Sequence, residues 1–270
     1  MRLGISSYTY TWAVGVPGHV PPRPMGAVDL LERAAQLGVR LVQVADNLPL
    51  DRLSPEALDR LAQRAVDLGM AIEVGTRGIA PDHLLLYLEL ALRFGSPIVR
   101  VVVDTADCHP SEAEVVATLR PLMPAFERAG VCLAVENHDR FPARALARIV
   151  EQVDSPNVGI CLDTANSFGA LEGPEHVVRE LGPWAVNLHV KGFVVQRARH
   201  MMGFAIEGRP VEQGQLDVPW LLQALHDLGR DPNAILEQWT SPEEDLAATI
   251  AKEERWAAES IAYLRRLIPE

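Results

Sequence analysis

Glu136, Asp163, His189 and Glu237 are side chains of the kinds that hold divalent cations. Each ends a short, mostly apolar run of this 270-residue chain: CLAVE, VGICLD, AVNLH and AILE. Three carboxylates gathered in a poorly solvated place repel one another, so either they take up protons or a cation joins them. Mostly oxygen donors with one imidazole favour Mn²⁺ or Mg²⁺, with Co²⁺ or Zn²⁺ also admitted, and thiolate ligation is not expected. A cation of this kind polarises a carbonyl or hydroxyl oxygen, so that a nearby carboxylate can remove the adjacent proton and leave a metal-stabilised enediolate. Glu136 and Glu237 are the candidate base and acid. Lys191, two residues beyond His189, is a candidate for holding a substrate carboxylate or an enolate oxygen, and a rim salt bridge is its alternative role. His138 is a candidate hydrogen-bond donor to substrate, or a support for a ligand.

Any one of these groups alone is more often part of a structural ion pair; what singles them out is a shared place in a repeating pattern. Strand-like runs RLGISSY (2–8), LVQVAD (41–46), AIEVGTR (71–77), IVRVVVD (98–104), CLAVENH (132–138), VGICLDTAN (158–166), AVNLHVK (185–191) and AILEQWT (234–240) alternate with helical patterns. The helices are expected over 27–39, 54–70, 82–95, 111–129, 142–153, 175–181, 218–228 and 242–266. Ser54-Pro55 and Ser241-Pro242 read as helix starts, and Gly38, Gly69, Gly95 and Gly130 as helix stops. Eight strand–helix units of about the usual 250 residues predict one (β/α)₈ TIM barrel spanning residues 1–270 as a single domain. The alternative, an open doubly wound sheet, lacks a GxGxxG after its first strand.

Alternate strand residues face opposite sides. One phase is branched and apolar, as in Leu133/Val135 and Ile160/Leu162, and suits packing beneath helices. The other holds Tyr8, Gln43, Glu73, Arg100, Glu136, His138, Asp163, His189, Lys191, Glu237 and Trp239, with ionisable groups concentrated toward the C-terminal mouth, where barrel active sites lie. Arg100 and Glu73, both inward, could pair with each other beneath it, and no chemistry is assigned to them. Tyr8, Tyr10, Trp12 and Trp239 offer an aromatic wall for a sugar face. The proline- and glycine-rich stretch from Gly15 to Gly26 reads as a stiff solvent loop, with a lid or a subunit contact as the alternatives.

A net charge of −11 disfavours nucleic acid and anionic membranes as partners, leaving small metabolites. Three cysteines without CxxC spacing suit a reducing compartment. Neither a leader pattern nor a run of about 18 apolar residues is present, so a soluble cytoplasmic chain is expected.

The motifs VENHDRF (135–141), GICLDTANSF (159–168), NLHVKGF (187–193), GQLDVPWLL (214–222) and LEQW (236–239) resemble those of the xylose-isomerase-like TIM barrels, which include sugar and sugar-phosphate isomerases and epimerases. The resemblance covers nearly the whole chain. It implies Glu136, Asp163, His189 and Glu237 as metal ligands, with the two glutamates exchanging a proton at the substrate carbon. Where the keto-sugar 3-epimerases carry LDTxH, this chain has LDTAN, which puts Asn166 at a substrate-contacting position and departs from the epimerase pattern. A narrower resemblance, through ENHDRF and VVQRARHMMGFAIEGRP, is to members acting on oxidised sugars or sugar acids, such as 3-oxo-isoapionate decarboxylases. It implies a long loop after the seventh strand that crosses the mouth and brings Arg197 and His200 to substrate. The reading favours isomerisation or epimerisation of a small keto sugar or sugar acid, with decarboxylation of a 3-oxo sugar acid as the alternative. A non-catalytic sugar-binding barrel is the alternative of another class, and Met201–Met202 suggests a homo-oligomer.

Overall fold

The computed structural model describes residues 1–269. Eight strands form one closed, all-parallel barrel: β1 (Leu3–Ser6), β2 (Leu41–Val44), β3 (Ala71–Arg77), β4 (Ile98–Val102), β5 (Cys132–Glu136), β6 (Val158–Asp163), β7 (Ala185–Val190) and, after a separate hairpin of β8 (Phe193–Arg197) and β9 (Phe204–Gly208), β10 (Asn233–Leu236). Leu3 pairs with Ala234 and Ile5 with Val42, so the first strand joins its neighbours on both sides and no edge is left open. The helices are α1 (Thr11–Val14), α2 (Ala27–Leu37), α3 (Pro55–Leu68), α4 (Pro81–Phe94), α5 (Glu112–Leu119), α6 (Met123–Ala129), α7 (Ala143–Val153), α8 (Pro174–Leu181), α9 (Val218–Asp227) and α10 (Leu246–Leu267).

The alternation holds. Leu133, Val135, Ile160, Leu162, Leu188 and Val190 are buried in the layer between sheet and helices. A small separate cluster of Ile98, Ala134 and Cys161 packs apart from it, each residue in the inward phase of its strand. Above that cluster the interior turns polar.

Ser54 caps α3 through the Ala57 amide, a bond worth about 1 kcal/mol, and the helix stops at Gly69 in the left-handed region. Two expectations are corrected. The helix over 111–129 is broken into α5, a 3₁₀ turn at Arg120–Leu122 and α6, because Pro121 and Pro124 lack the amide hydrogen a continuous helix requires. The last helix begins not at Ser241-Pro242 but at Leu246, capped by Asp245, whose carboxylate accepts from Ala248 N at 2.7 Å. Ser241 serves instead as an acceptor for Lys252 Nζ at 2.8 Å.

The long loop after the seventh barrel strand is a two-stranded hairpin. Its paired residues Val195↔Ile206 and Arg197↔Phe204 share a face. At its base, a Cβ on Gly208 would lie 1.9 Å from the carbonyl oxygen of Trp239, so only glycine lets the ribbon meet the β10 loop. Beside this contact, α10 ties down the segment after β1: the buried Glu253 carboxylate accepts from Trp12 N at 2.9 Å and Ala13 N at 3.1 Å.

Candidate active site at the barrel mouth

Strands β5, β6 and β7 and the residue after β10 deliver Glu136, Asp163, His189 and Glu237 to one point, all four buried. His189 Nδ1 lies 3.4 Å from Glu136 Oε2, 3.6 Å from Asp163 Oδ2 and 3.5 Å from Glu237 Oε1. Three of these atoms, His189 Nδ1, Asp163 Oδ2 and Glu237 Oε1, are buried without a hydrogen bond. Unsatisfied buried polar atoms are costly, and an imidazole nitrogen facing two carboxylate oxygens fits a divalent cation. Burial opposes a charged imidazole, but without a cation the neighbouring acidic groups hold the His189 pKa above its ordinary value. A second grouping, Glu136, Cys161 and His189, is less suited, because burial pushes the Cys161 thiol up to about 11.

Local structure explains why Asp163 has a free oxygen. Its Oδ1 accepts from the amides of Ala165 and Asn166, both at 2.8 Å, which turns Oδ2 toward the centre. Asn137, which the sequence reading does not single out, fastens β5 to β6: its side chain accepts from Asp163 N at 2.7 Å and donates to Asp163 O at 2.9 Å.

Lys191 stands over this set. Its Nζ is 2.7 Å from Asp163 Oδ2, a contact without hydrogen-bond alignment, 3.0 Å from Glu237 Oε2 and 3.1 Å from Asn166 Oδ1. Burial opposes the ammonium, but Asp163, Glu237 and Glu136 outweigh it and hold its pKa above the ordinary lysine value. In turn, burial opposes the Asp163 carboxylate, and Lys191 and His189 nevertheless hold it below the usual range.

A second set of charges flanks the first. Arg100, inward on β4 and 2% exposed, meets Glu136 Oε2 through Nε and Asp46 Oδ1 through Nη1, the latter at 2.7 Å. Asp46 Oδ2 accepts from Tyr8 OH at 3.0 Å and Arg77 Nε at 2.9 Å. Burial would raise the Asp46 carboxyl, but Arg100 and Arg77 bring it down to about 2. The Arg100–Glu73 pair is therefore not formed; Glu73 lies among amides instead. Gly75 makes room for the arginine, since a Cβ there would be 3.2 Å from Arg100 Cδ. Asp46 was missed by the sequence reading, although the LVQVADN run turns polar at its end as CLAVENH does.

A cavity of about 220 Å³ at the mouth is lined by Tyr8, His138, Asn166, Lys191, Glu237 and Trp239, together with Glu136 and both arginines. Asn166 donates to Glu136 Oε1 at 2.7 Å. His138, half-buried, pairs with Asp139. Trp239 has its ring 5.4 Å from Lys191 Nζ. Arg197 and His200 are not brought there: Arg197 stacks on Phe204 at 4.6 Å, and His200 accepts from Met202 N in the exposed hairpin tip. The hairpin instead borders the mouth through Ile206, which lines a neighbouring cavity with His138, Asn166 and Trp239. A larger cavity, about 820 Å³, lies beside it between the loops after β3 and β4 and lacks the carboxylate set. Among the described residues, no helix is long and apolar enough to cross a membrane.

The profile of the xylose isomerase-like TIM barrel family matches residues 31–267. The chain is 35% identical to a 3-oxo-isoapionate decarboxylase of Pectobacterium atrosepticum over 264 residues, 98% of this chain and 95% of that one. Among solved structures, D-psicose 3-epimerase with D-tagatose from Clostridium cellulolyticum H10 superposes with a TM-score of 0.72 at 17% identity, all of both chains being covered. A xylose isomerase-like TIM barrel protein from Mycobacterium smegmatis, in complex with magnesium, gives 0.69 at 15% identity over 97% of each. At such identities the structural likeness shows the fold alone.

Proposed function

This chain belongs to the xylose isomerase-like TIM barrel family, and from that premise we propose that it is a divalent-cation-dependent enzyme that decarboxylates a small 3-oxo sugar acid. The observation that carries this reading is Lys191, an ammonium buried at the mouth beside the cation-binding carboxylates. That charge can meet a substrate carboxylate as well as an enolate oxygen, and the 35% identity to a decarboxylase over nearly the full length favours the acid substrate.

The residues that would hold the ion are Glu136, Asp163, His189 and Glu237, and a divalent cation there supplies Lewis acidity at a substrate oxygen. Mg²⁺ is consistent with the oxygen-rich donor set and with the magnesium-bound family structure, as is Mn²⁺. Lys191 holds the substrate carboxylate, and Trp239 and Tyr8 flank the sugar chain. The bond between the carboxylate carbon and C2 breaks. Its electron pair passes into the C2–C3 enolate, carbon dioxide leaves, and a proton from solvent at the open mouth completes the product at C2.

Isomerisation or epimerisation would pass through the same enediolate and is the second reading. One feature ranks it lower: Asn166 stands where the epimerase pattern carries a histidine. Incubation with Mn²⁺ or Mg²⁺ in D₂O, using 3-oxo sugar acids and ketoses in parallel, separates the two. Release of carbon dioxide with one solvent deuteron per product supports decarboxylation; deuterium exchange into ketoses of unchanged carbon number overturns it in favour of epimerisation. Inactivity in both arms favours a binding barrel.

A further inference from the structure

Below the carboxylates the barrel holds a polar layer that the proposed chemistry does not use. Glu73 on β3 is 1% exposed, and its hydrogen-bond partners are all amide donors. Asn233 Nδ2 donates to Oε1 at 2.8 Å, and Gln43 Nε2 and Asn187 Nδ2 donate to Oε2 at 3.1 and 2.9 Å. Burial raises the Glu73 pKa and the three amide N–H donors oppose that rise; in the ionised form they favour, the carboxylate acts as acceptor only. Gln43 must therefore turn its N–H groups toward Glu73 and toward Asn187 Oδ1, 3.0 Å away, and its carbonyl oxygen to the other side. There that oxygen lies 2.7 Å from His189 Nε2.

An amide oxygen can only accept, so the hydrogen in this bond sits on Nε2. In the neutral ring that a cation requires, the lone pair is then on Nδ1, the atom facing Glu136, Asp163 and Glu237. We infer that Glu73 and Gln43 are positioning residues, which fix His189 as its Nε2–H tautomer and present Nδ1 to the cation. The use made of Nδ1 rests on the cation reading above; the Glu73–Gln43–His189 relay stands without it. All three side chains are buried, so water does not compete for these bonds.

The relay is tested by ¹⁵N-histidine NMR together with Zn²⁺ titration of the wild type, Gln43→Leu and the closely isosteric Glu73→Gln. In the wild type, the His189 Nε2 hydrogen exchanges slowly with solvent, and Zn²⁺ binds at Nδ1. Gln43→Leu removes the acceptor; the Nε2 hydrogen then exchanges freely and Zn²⁺ affinity falls about 10- to 100-fold, the range for loss of such a supporting hydrogen bond. Glu73→Gln lets the Gln43 amide turn over, giving a smaller loss and two His189 populations, and it carries the test if Gln43→Leu does not fold. Zn²⁺ on Nε2, or variants with unchanged exchange behaviour, overturns the inference. If the wild type takes up no divalent ion while Nε2–H remains protected through Gln43, the cation reading fails and the relay stands.

Discussion

Arg100 and Glu136, on adjacent strands, form an ion pair almost wholly removed from water, their side chains 2% and 1% exposed. The same guanidinium also meets Asp46, so one cation holds two carboxylates. Arg100→Met would leave both buried without it. The variant is expected to lose about 3–5 kcal/mol of stability, and Arg100→Met/Glu136→Gln is expected to recover part of that. Urea denaturation of the two variants and of the wild type measures the recovery.

Lys191→Met removes the ammonium proposed to hold the substrate carboxylate and keeps the length of the chain. The loss should appear mainly as weaker substrate binding, with KM raised about 30-fold or more, because a contact to a carboxylate already charged in the ground state is a binding contact worth at least about 2 kcal/mol when one partner is removed. Affinity for Mn²⁺ by calorimetry should be retained, since Lys191 contributes repulsion to a cation rather than a ligand. Loss of metal binding together with activity would show that Lys191 serves the centre instead of the substrate.

Glu253 supplies a pH dependence away from the mouth. Burial raises its carboxyl to about 7, although the amides of Trp12 and Ala13 favour the charged form. The folded state thus binds a proton more tightly than the unfolded chain, whose ordinary glutamate value is 4.5. The resulting stability is fully present below that value and is lost as pH rises to about 7, a change of about 3 kcal/mol. Denaturation midpoints between pH 4.5 and 8 should show this slope in the wild type and a flatter one in Glu253→Gln.

Gly208→Ala would place a methyl group against the Trp239 carbonyl, at a contact no neighbour can relieve by a side-chain turn. The hairpin base must shift, at a cost of about 1–3 kcal/mol. Trypsin should then cut the exposed Arg197 and Arg199 faster than in the wild type while the barrel remains intact, as read by mass spectrometry.

The strand period made the barrel legible, because a parallel sheet under helices needs one branched, apolar face and Leu133, Val135, Ile160 and Leu162 supply it. The same parity pointed to Glu136, Asp163, His189 and Glu237. It could not assign the partners of Arg100, since a long side chain reaches along the barrel axis: Arg100 pairs in register with Ala134 yet bonds Glu136 one step higher. Asp46 lay just past its strand, where alternation no longer says which way a side chain points. The hairpin is hidden in the sequence because its two strands are separated by the six residues from Ala198 to Gly203 and not by a tight two-residue turn, although FVVQR and FAIEG both carry strand-forming residues that pair face to face.

The division of labour between barrel and hairpin bears on how such a protein can diversify. The carboxylates of the mouth stand at the ends of barrel strands or just beyond them, with Arg100 reaching up from the middle of β4, and hydrogen bonds between neighbours lock them; the ribbon from Phe193 to Gly208 is attached at its base and borders the same opening. Sequence drift in the ribbon can therefore reshape what enters the mouth without rewriting the electrostatic lattice beneath it. Relatives with a common charge set but different ribbons should differ in substrate range before they differ in chemistry.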